Sequence, residues 1–327
     1  MPPNTTKTKS SRKHRWGVVL AGGDGARLQR LTRLISSDER PKQFSALVSR
    51  ETLLEQTRQR ALRSIAQDQI LYTFASRHLE YYAKEHIEPS HRIVQPLNKG
   101  TAPAIAFSLL SIEQIDKDAI VAILPSDHYY ADERAFNKTL DSAFRVAARY
   151  PRSVVILGAA PHGPEVEYGW IDLGPSAVPG AHSLFHVESF CEKPPFPVAQ
   201  RLLERGSLWN TFIMVGHVSG FLNMIDAATS RLMHALRAAR LWNGSEVHIP
   251  ESLYGDLSPV DFSKAVLSVQ VKRLIALRMD EAAGWSDLGH PDRVMAILKA
   301  RGLNPWWMNA LTGPSSEGPP MAVAAVA

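Results

Sequence analysis

The chain has 327 residues, of which 45% are hydrophobic and 21% charged, a composition that predicts a folded globular protein and excludes a disordered chain. Five of the 37 Lys and Arg residues lie within residues 1–15, and without these five the remaining 32 balance the 32 Asp and Glu. The basic character therefore belongs to an N-terminal segment, which argues against a specific nucleic-acid-binding face on the folded body.

The cysteine content and the hydropathy limit the cellular compartments in which the protein is expected. A single cysteine, Cys191, excludes an internal disulfide and a cysteine-based zinc cluster, and is typical of a reducing compartment. No apolar run approaches the roughly 20 residues that a membrane-spanning helix needs. Residues 1–15 also lack the apolar core of a signal peptide. We therefore expect a cytoplasmic protein with no membrane partner.

Both ends of the chain are predicted to be disordered tails. Residues 1–15 are polar and basic, and residues 312–327 begin with turn formers and end in small apolar side chains. Between them no repeat of fixed period and no Pro/Gly/Ser-rich linker divides the chain. Residues 16–311 are therefore expected to form one domain.

Short runs rich in Val and Ile alternate with amphipathic stretches in the first half of this domain. The predicted strands are residues 16–21, 69–75, 92–95, 119–124 and 153–158. Such alternation is typical of parallel strands joined by helical crossovers. Amphipathic helices are expected around residues 54–65 and 136–144, and a further helix is expected to be capped by Thr101.

The second half is less regular. It contains predicted strands at residues 168–173, 184–192 and 271–278, and predicted helices near 196–205, 218–240 and 290–300. This pattern indicates a mixed sheet extended by a smaller lobe. The expected fold class is thus α/β, with a Rossmann-like open mixed, mostly parallel sheet flanked by helices.

A glycine-rich turn follows the first predicted strand, where Gly22, Gly23 and Gly25 precede Arg27. Glycines let the backbone turn sharply and bring N–H groups close to a phosphate, and an arginine can bind phosphate oxygens through two parallel hydrogen bonds. The segment lacks the third glycine of the dinucleotide fingerprint and the Gly-Lys-Ser/Thr of the mononucleotide loop. By itself it is compatible with a phosphate-binding loop or with a plain turn between a strand and a helix.

Three charged residues stand where a sheet of this kind could present them to a ligand. Lys42, in Pro-Lys-Gln-Phe, could supply one charge to a triphosphate or lie on the surface. Asp127 directly follows the strongest predicted strand, at the edge where open α/β sheets bind ligands. Asp287 lies in Gly-Trp-Ser-Asp-Leu-Gly. Such carboxylates suit Mg²⁺, although each aspartate alone is also typical of a turn or a helix cap. His128 has no partner at metal-ligand spacing and is interpreted as structural.

The chain resembles the sugar-1-phosphate nucleotidyltransferases in eight segments that occur in the order and approximate spacing of that family. They lie at residues 22–28, 41–44, 100–104, 125–128, 168–170, 192–194, 209–210 and 285–289. The Lys-Gln-Phe, Thr-Ala-Pro-Ala and Ser-Asp-His segments are most similar to the mannose-1-phosphate guanylyltransferase branch. The resemblance implies a nucleotidyltransferase domain whose smaller lobe binds a sugar.

The resemblance also implies a reaction and a role for each matching residue. The expected enzyme transfers a nucleoside monophosphate from a nucleoside triphosphate to a hexose 1-phosphate and releases pyrophosphate. GTP and mannose 1-phosphate are the leading pair, with GDP-mannose serving polysaccharide biosynthesis. Catalysis would fall to Arg27, Lys42 and Asp127, with Mg²⁺ held by Asp127 and Asp287. The nucleotide would be bound by Gly22, Gly23, Gly25, Arg27, Gln95, Gly100 and Thr101, and the sugar phosphate by Gly169, Glu192, Lys193 and Asn210.

Two alternative functions stay open on the sequence. Within the same enzyme class, glucose 1-phosphate with UTP, dTTP or ATP is the alternative; outside it, the alternative is a catalytically silent homologue that binds a sugar nucleotide and regulates a partner. Glu167 stands where the family often has glycine, so the hexose pocket is expected to differ. The chain stops without the C-terminal extension of many relatives, so bifunctionality is not expected, and a homodimer stays open.

Overall fold

The structure is a computed structural model that describes residues 13–178, 180, 182–237 and 246–308. Its strands are β1 (Arg15–Leu20), β2 (Ile70–Ala75), β3 (Arg92–Gln95), β4 (Ile120–Pro125), β5 (Val154–Ala159), β6 (Gly169–Ser176), β7 (Leu184–Glu192), β8 (Leu208–His217), β9 (Val247–His248) and β10 (Leu274–Arg278). Its helices are α1 (Gln29–Ser36), α2 (Leu53–Leu62), α3 (Leu79–Tyr82), α4 (Thr101–Ile115), α5 (Glu133–Arg149), α6 (Phe196–Glu204), α7 (Val218–Ala228), α8 (Ser230–Arg237), α9 (Glu251–Gly255) and α10 (Pro291–Ala300).

The strands form one mixed sheet in the order β5-β10-β7-β6-β8-β4-β1-β2-β3-β9, with a further pairing between β5 and β8. Parallel pairing runs from β4 through β1, β2 and β3 to β9 and recurs between β5 and β10. Strands β6, β7 and β8 pair antiparallel with their neighbours. The Rossmann-like mixed sheet predicted from the sequence is confirmed, and its parallel crossover part lies mainly in the first half of the chain.

Helices cover both faces of the sheet. Along β4, Val121 and Ile123 belong to a core beneath α4, α7 and α8, whereas Ala122 and Leu124 belong to a core beneath α2 and α5. Because successive strand residues point to opposite faces, a strand covered on both sides must be apolar at every position. The continuous apolar run in the sequence has this cause.

Strand β8 has no counterpart among the predicted strands, although it lies between β6 and β4 and also pairs with β5. Phe212 in the middle of β8 has a φ of 58°, and the pairing with β5 shifts register between Ile156 and Gly158. These irregularities break the alternation by which a strand is recognised in a sequence.

The N-terminal boundary and the start of α4 differ from the sequence-based expectations. Strand β1 begins at Arg15, whose guanidinium forms an ion pair with Asp141 of α5. Of the predicted tails, residues 1–12 and 312–327 lie outside the described residues. The prediction that Thr101 caps α4 was wrong: Gly100 is the N-cap, and the Thr101 hydroxyl accepts a hydrogen bond from the Phe262 N–H at 2.8 Å.

Among the described residues, no helix is long and apolar enough to cross a bilayer.

Candidate functional site

A cleft of about 370 Å³ opens at the edge of the sheet where β1 and β4 end. This is the edge at which open α/β sheets bind ligands, because the loops that leave the carboxyl ends of parallel strands meet there. Six of the residues predicted to bind nucleotide or metal line the cleft: Gly22, Gly23, Gln95, Gly100, Thr101 and Asp127. The fold therefore gathers most of the predicted nucleotide set into one cavity.

The glycine loop is held in place by Gln43, a residue that the sequence analysis did not assign to the site. Its buried side-chain amide donates hydrogen bonds to the carbonyl oxygens of Ala21 and Gly23, at 3.0 and 2.7 Å. Gly25 has a φ of 60°, and a Cβ there would lie 3.0 Å from the backbone nitrogen of Lys42. The close approach of these two segments explains why a glycine stands at position 25.

Lys42 joins the two aspartate segments. Its Nζ lies 3.2 Å from Asp127 Oδ2 and donates a hydrogen bond to the backbone oxygen of Asp287 at 2.6 Å. Only 11% of the Lys42 side chain is exposed. The family resemblance implies a triphosphate contact for this ammonium group, and the structure places it against Asp127 and the Asp287 backbone.

A short antiparallel bridge holds these two segments together. The Tyr129 N–H donates to Ser286 O at 2.9 Å, and the Ser286 N–H donates to Tyr129 O at 3.1 Å. One position earlier on each side, Trp285 Nε1 donates to His128 Nδ1 at 3.1 Å. Burial lowers the pKa of His128 to about 4, so the ring is neutral near pH 7 and can accept this bond. His128 thus packs and orients the bridge, in agreement with its interpretation as structural.

The Asp287 carboxylate is fixed by three donors on one oxygen. Its Oδ1 accepts hydrogen bonds from the Tyr168 hydroxyl at 2.8 Å, the Gly289 N–H at 2.8 Å and Arg293 Nη1 at 2.6 Å. Burial alone would raise the pKa of Asp287, but the charges of Lys42 and Arg293 outweigh it and hold the pKa below its usual range. Its Oδ2 accepts no hydrogen bond from the described residues.

The chemistry of this donor set is compatible with Mg²⁺. Asp127 and Asp287 supply hard carboxylate oxygens, and Asp127 keeps 26% of its side chain exposed at the cleft. Mg²⁺ in proteins is commonly held by one or two carboxylates, with the remaining positions left to water and substrate phosphates. The ionised Asp287 with one free oxygen meets that requirement.

Three of the residues predicted to face the sugar converge on neighbouring strands. Gly169 of β6 pairs with Glu192 of β7, and a Cβ at position 169 would lie 2.6 Å from Glu192 Oε2 and 3.3 Å from the Cβ of Asn210 on β8. Burial, and then the nearby Asp261 charge, raise the pKa of Glu192. Lys193 follows with a φ of 51°, and its backbone N–H donates a hydrogen bond to the backbone carbonyl oxygen of Tyr168 at 3.1 Å. The absence of a side chain at position 169 lets the Glu192 carboxylate pack close against the backbone of β6.

Arg27 does not line the cleft. Its Nη1 lies 2.7 Å from Glu167 Oε2, and about half of each side chain is exposed. The structure thus gives the Arg27 guanidinium a partner in the segment before β6.

Three residues of the site were not identified from the sequence: Tyr168, which acts through its hydroxyl, Arg293 and Gln43. Tyr168 and Gln43 lie inside segments that carry the family resemblance, so their positions offered a signal. Arg293 lies in the first turn of α10, six positions after Asp287. Nothing local distinguishes it from a surface arginine, because its role arises only where α10 packs beside the site.

A second, shallower groove of about 830 Å³ lies elsewhere. It is lined by Arg152, Ser219 and Arg273, among others, at the amino ends of β5 and β10. No residue of the predicted site faces it. We therefore assign the candidate site to the smaller cleft, where the functional side chains converge.

The chain is similar to proteins of known family. The family model described as "Nucleotidyl transferase" matches residues 16–301. The xanthan biosynthesis protein XanB of Xanthomonas campestris pv. campestris strain B100 is 30% identical over 296 residues, which is 87% of this chain and 60% of that protein. The mannose-1-phosphate guanylyltransferase of Klebsiella pneumoniae is 28% identical, covering 83% of this chain and 57% of that protein. The chain thus spans about 60% of the length of these curated relatives.

Solved structures show the same fold. A Thermus thermophilus structure titled as a mannose-1-phosphate geranyltransferase has a TM-score of 0.72 and 25% identity, covering 86% of this chain and 79% of that one. A UDP-glucose pyrophosphorylase complexed with UDP-glucose has a TM-score of 0.55 at 15% identity, covering 88% and 98%. The second likeness bears on the fold alone.

Proposed function

Since the chain belongs to the nucleotidyl transferase family, we propose that it joins a hexose 1-phosphate to the nucleoside monophosphate part of a nucleoside triphosphate and releases pyrophosphate. GTP and mannose 1-phosphate are the proposed pair. The similarity to a mannose-1-phosphate guanylyltransferase and to a xanthan biosynthesis protein supports this pair and a role in polysaccharide biosynthesis. A cytoplasmic location stays a prediction.

One observation carries the proposal: Lys42 joins Asp127 and the Asp287 backbone at the mouth of a glycine-lined cleft. Two anionic reactants can meet only where positive charge and ordered donors offset their repulsion. Gly22 and Gly23 line the cleft, and the buried Lys42 ammonium contacts Asp127, which also lines it. A site that merely bound a neutral ligand would have no use for this arrangement of charges.

In the proposed reaction an oxygen of the sugar phosphate attacks the α-phosphorus of the triphosphate in line. The new P–O bond forms as the bond to the β-phosphate breaks, and the electron pair leaves with pyrophosphate. No covalent protein intermediate is required, so the protein contributes positioning and electrostatic stabilisation. Gly22 and Gly23 would bring backbone N–H groups to the triphosphate, Gln95 and Thr101 would contact the nucleoside, and Lys42 would stabilise the developing charge.

We also propose that the sugar phosphate lies between β6, β7 and β8. Glu192 and Asn210 would contact hexose hydroxyls, and Lys193 would contact the phosphate. Gly169 would let the Glu192 carboxylate stay close to the backbone of β6, because a side chain there would crowd it. Burial raises the pKa of Glu192, so its protonated form persists to higher pH than in an exposed glutamate. The protonated carboxyl group can donate a hydrogen bond as well as accept one.

Mg²⁺ is the proposed cofactor. Asp127 and Asp287 would hold it, and the ion would neutralise phosphate charge and polarise the phosphorus centre. The protein's own contribution is to keep Asp287 ionised through the charges of Lys42 and Arg293 and the hydrogen bond from Tyr168.

The decisive experiment is a matrix of GTP, ATP, UTP, CTP and dTTP against mannose 1-phosphate and glucose 1-phosphate. Pyrophosphate release and the mass of the sugar nucleotide would be measured with Mg²⁺ and with chelator. GDP-mannose formation that stops in chelator is the expected result. Product from another pair would replace the proposed substrates while keeping the reaction class, and undiminished product in chelator would overturn the metal assignment.

The same matrix tests the alternative of a silent homologue. Binding of GDP-mannose measured by calorimetry, with no pyrophosphate released from any pair, would overturn the enzymatic proposal in favour of a regulatory one.

A further inference from the structure

The structure gives Arg27 a partner inside the protein. Arg27 Nη1 lies 2.7 Å from Glu167 Oε2, across 140 positions of the chain. Arg27 follows the glycine loop, whereas Glu167 lies in the segment that leads into β6. A carboxylate of the protein therefore binds the guanidinium that the family resemblance assigns to the triphosphate.

The position of Glu167 is fixed by contacts that begin in the candidate site. Its N–H donates to Glu165 Oε1 at 2.9 Å, and Glu165 Oε2 accepts from Arg293 Nη2 at 2.5 Å. Arg293 also donates to Asp287, and the next residue after Glu167 is Tyr168, whose hydroxyl bonds the same Asp287 oxygen. The backbone at Glu167 is therefore anchored from both sides, which aims its side chain at Arg27.

We propose that Glu167 competes with the triphosphate for Arg27 and so sets the affinity of the protein for nucleotide. This inference rests on the proposed function. Carboxylate and phosphate oxygens bind the same guanidinium N–H groups, so Arg27 cannot pair fully with both. In the free protein Glu167 holds Arg27, and nucleotide binding has to break that pair.

The contact has the properties that a displaceable pair needs. The side chains of Arg27 and Glu167 are 52% and 51% exposed, and exposed ion pairs are weak and sensitive to salt. A triphosphate carries more negative charge than a carboxylate and can replace it.

The test compares Glu167→Gln, which keeps the size of the side chain and removes its charge, with the unaltered protein. The dissociation constants for GTP, ATP, UTP, CTP and dTTP with Mg²⁺ would be measured by calorimetry, without sugar phosphate. We expect the Kd of the preferred nucleotide to fall by about two- to fivefold, the range expected when an exposed ion pair no longer has to be broken. High salt should reduce the difference.

A double-mutant cycle separates competition for Arg27 from a general effect of charge. In an Arg27→Met background, adding Glu167→Gln should leave the Kd unchanged, because there is no guanidinium to release. Glu188→Gln is the matched control. It makes the same charge change at an exposed glutamate of β7 whose side chain forms no ion pair or hydrogen bond with a described residue. It should leave the Kd unchanged in both backgrounds, and thermal melting checks that all variants are folded.

The outcomes distinguish this inference from the proposed function. If nucleotide binds and turns over but Glu167→Gln leaves the Kd unchanged, or tightens binding equally in the Arg27→Met background, Glu167 is not a competitor and the proposed function stands. If no nucleotide binds either protein, Arg27 is not a triphosphate ligand and both proposals fall.

Discussion

The Tyr168 hydroxyl donates a hydrogen bond to Asp287 Oδ1 at 2.8 Å, joining residues 119 positions apart. Tyr168 begins the part of the chain that would face the sugar, and Asp287 belongs to the proposed metal site. The bond therefore links the two halves of the site through one buried contact. The contribution of this hydrogen bond to the reaction rate can be measured, because the hydroxyl can be removed without changing the ring.

Tyr168→Phe is expected to lower turnover by about tenfold, since a hydrogen bond to a charged group contributes about 1.5 kcal/mol. The effect stays moderate because Gly289 and Arg293 still hold the carboxylate. Steady-state kinetics with Mg²⁺ varied would measure it. Tyr150→Phe serves as the control, because its hydroxyl bonds no described residue. Equal rates for Tyr168→Phe and the control would show that the contact has no part in the reaction.

Asp127→Asn is expected to lower turnover by about 100-fold or more, as does the loss of other preorganised electrostatic groups. The fold should persist, because Lys42 keeps its hydrogen bond to the Asp287 backbone. Pyrophosphate release and circular dichroism would be compared with those of Asp118→Asn, an exposed aspartate in the turn before β4. Normal turnover in folded Asp127→Asn protein would remove Asp127 from the reacting centre.

Gly100→Ala is expected to destabilise the protein by about 2 kcal/mol or more, because alanine is strained in a left-handed backbone and would also clash there. Gly100 has a φ of 86°, and a Cβ there would lie 2.5 Å from Val260 O. Denaturant unfolding would measure the loss. Gly163→Ala is the matched control, since a Cβ at position 163 meets nothing within 4 Å. Equal stability of the two variants would contradict the close approach at Gly100.

Glu192→Gln is expected to change the dependence of stability on pH. The pKa of Glu192 is raised in the folded protein above its usual value of 4.5, so the native state binds the proton more tightly than the unfolded chain. The stability that Glu192 contributes is full below pH 4.5 and is lost as pH rises through the folded pKa. As the pH rises above 4.5, the melting temperature of the unaltered protein should therefore fall relative to that of the glutamine variant. A gap that stays constant or shrinks over that range would show that burial does not penalise this carboxylate.

The parallel part of the fold could be predicted because its causes are local. Strand β4 lies between two helical layers, so every residue in it is apolar, and the run is visible in the sequence. Strand β8 could not be predicted in the same way. Its backbone at Phe212 has a positive φ, and its register with β5 shifts, so its pattern depends on neighbours far along the chain.

The candidate site divides in the same manner. The sequence by itself determined which chemistry was available: a glycine loop after a buried strand, two aspartates beside turns, and the residues that the family resemblance assigns to a sugar. The tertiary structure alone decided how those groups are paired, placing Lys42 between Asp127 and the Asp287 backbone, Arg293 on Asp287, and Arg27 on Glu167. The physical reason is range. Backbone turns and apolar periodicity are set by neighbouring residues and can be read from the sequence. An ion pair between distant segments depends on how those segments pack in space, which residue positions along the chain do not specify.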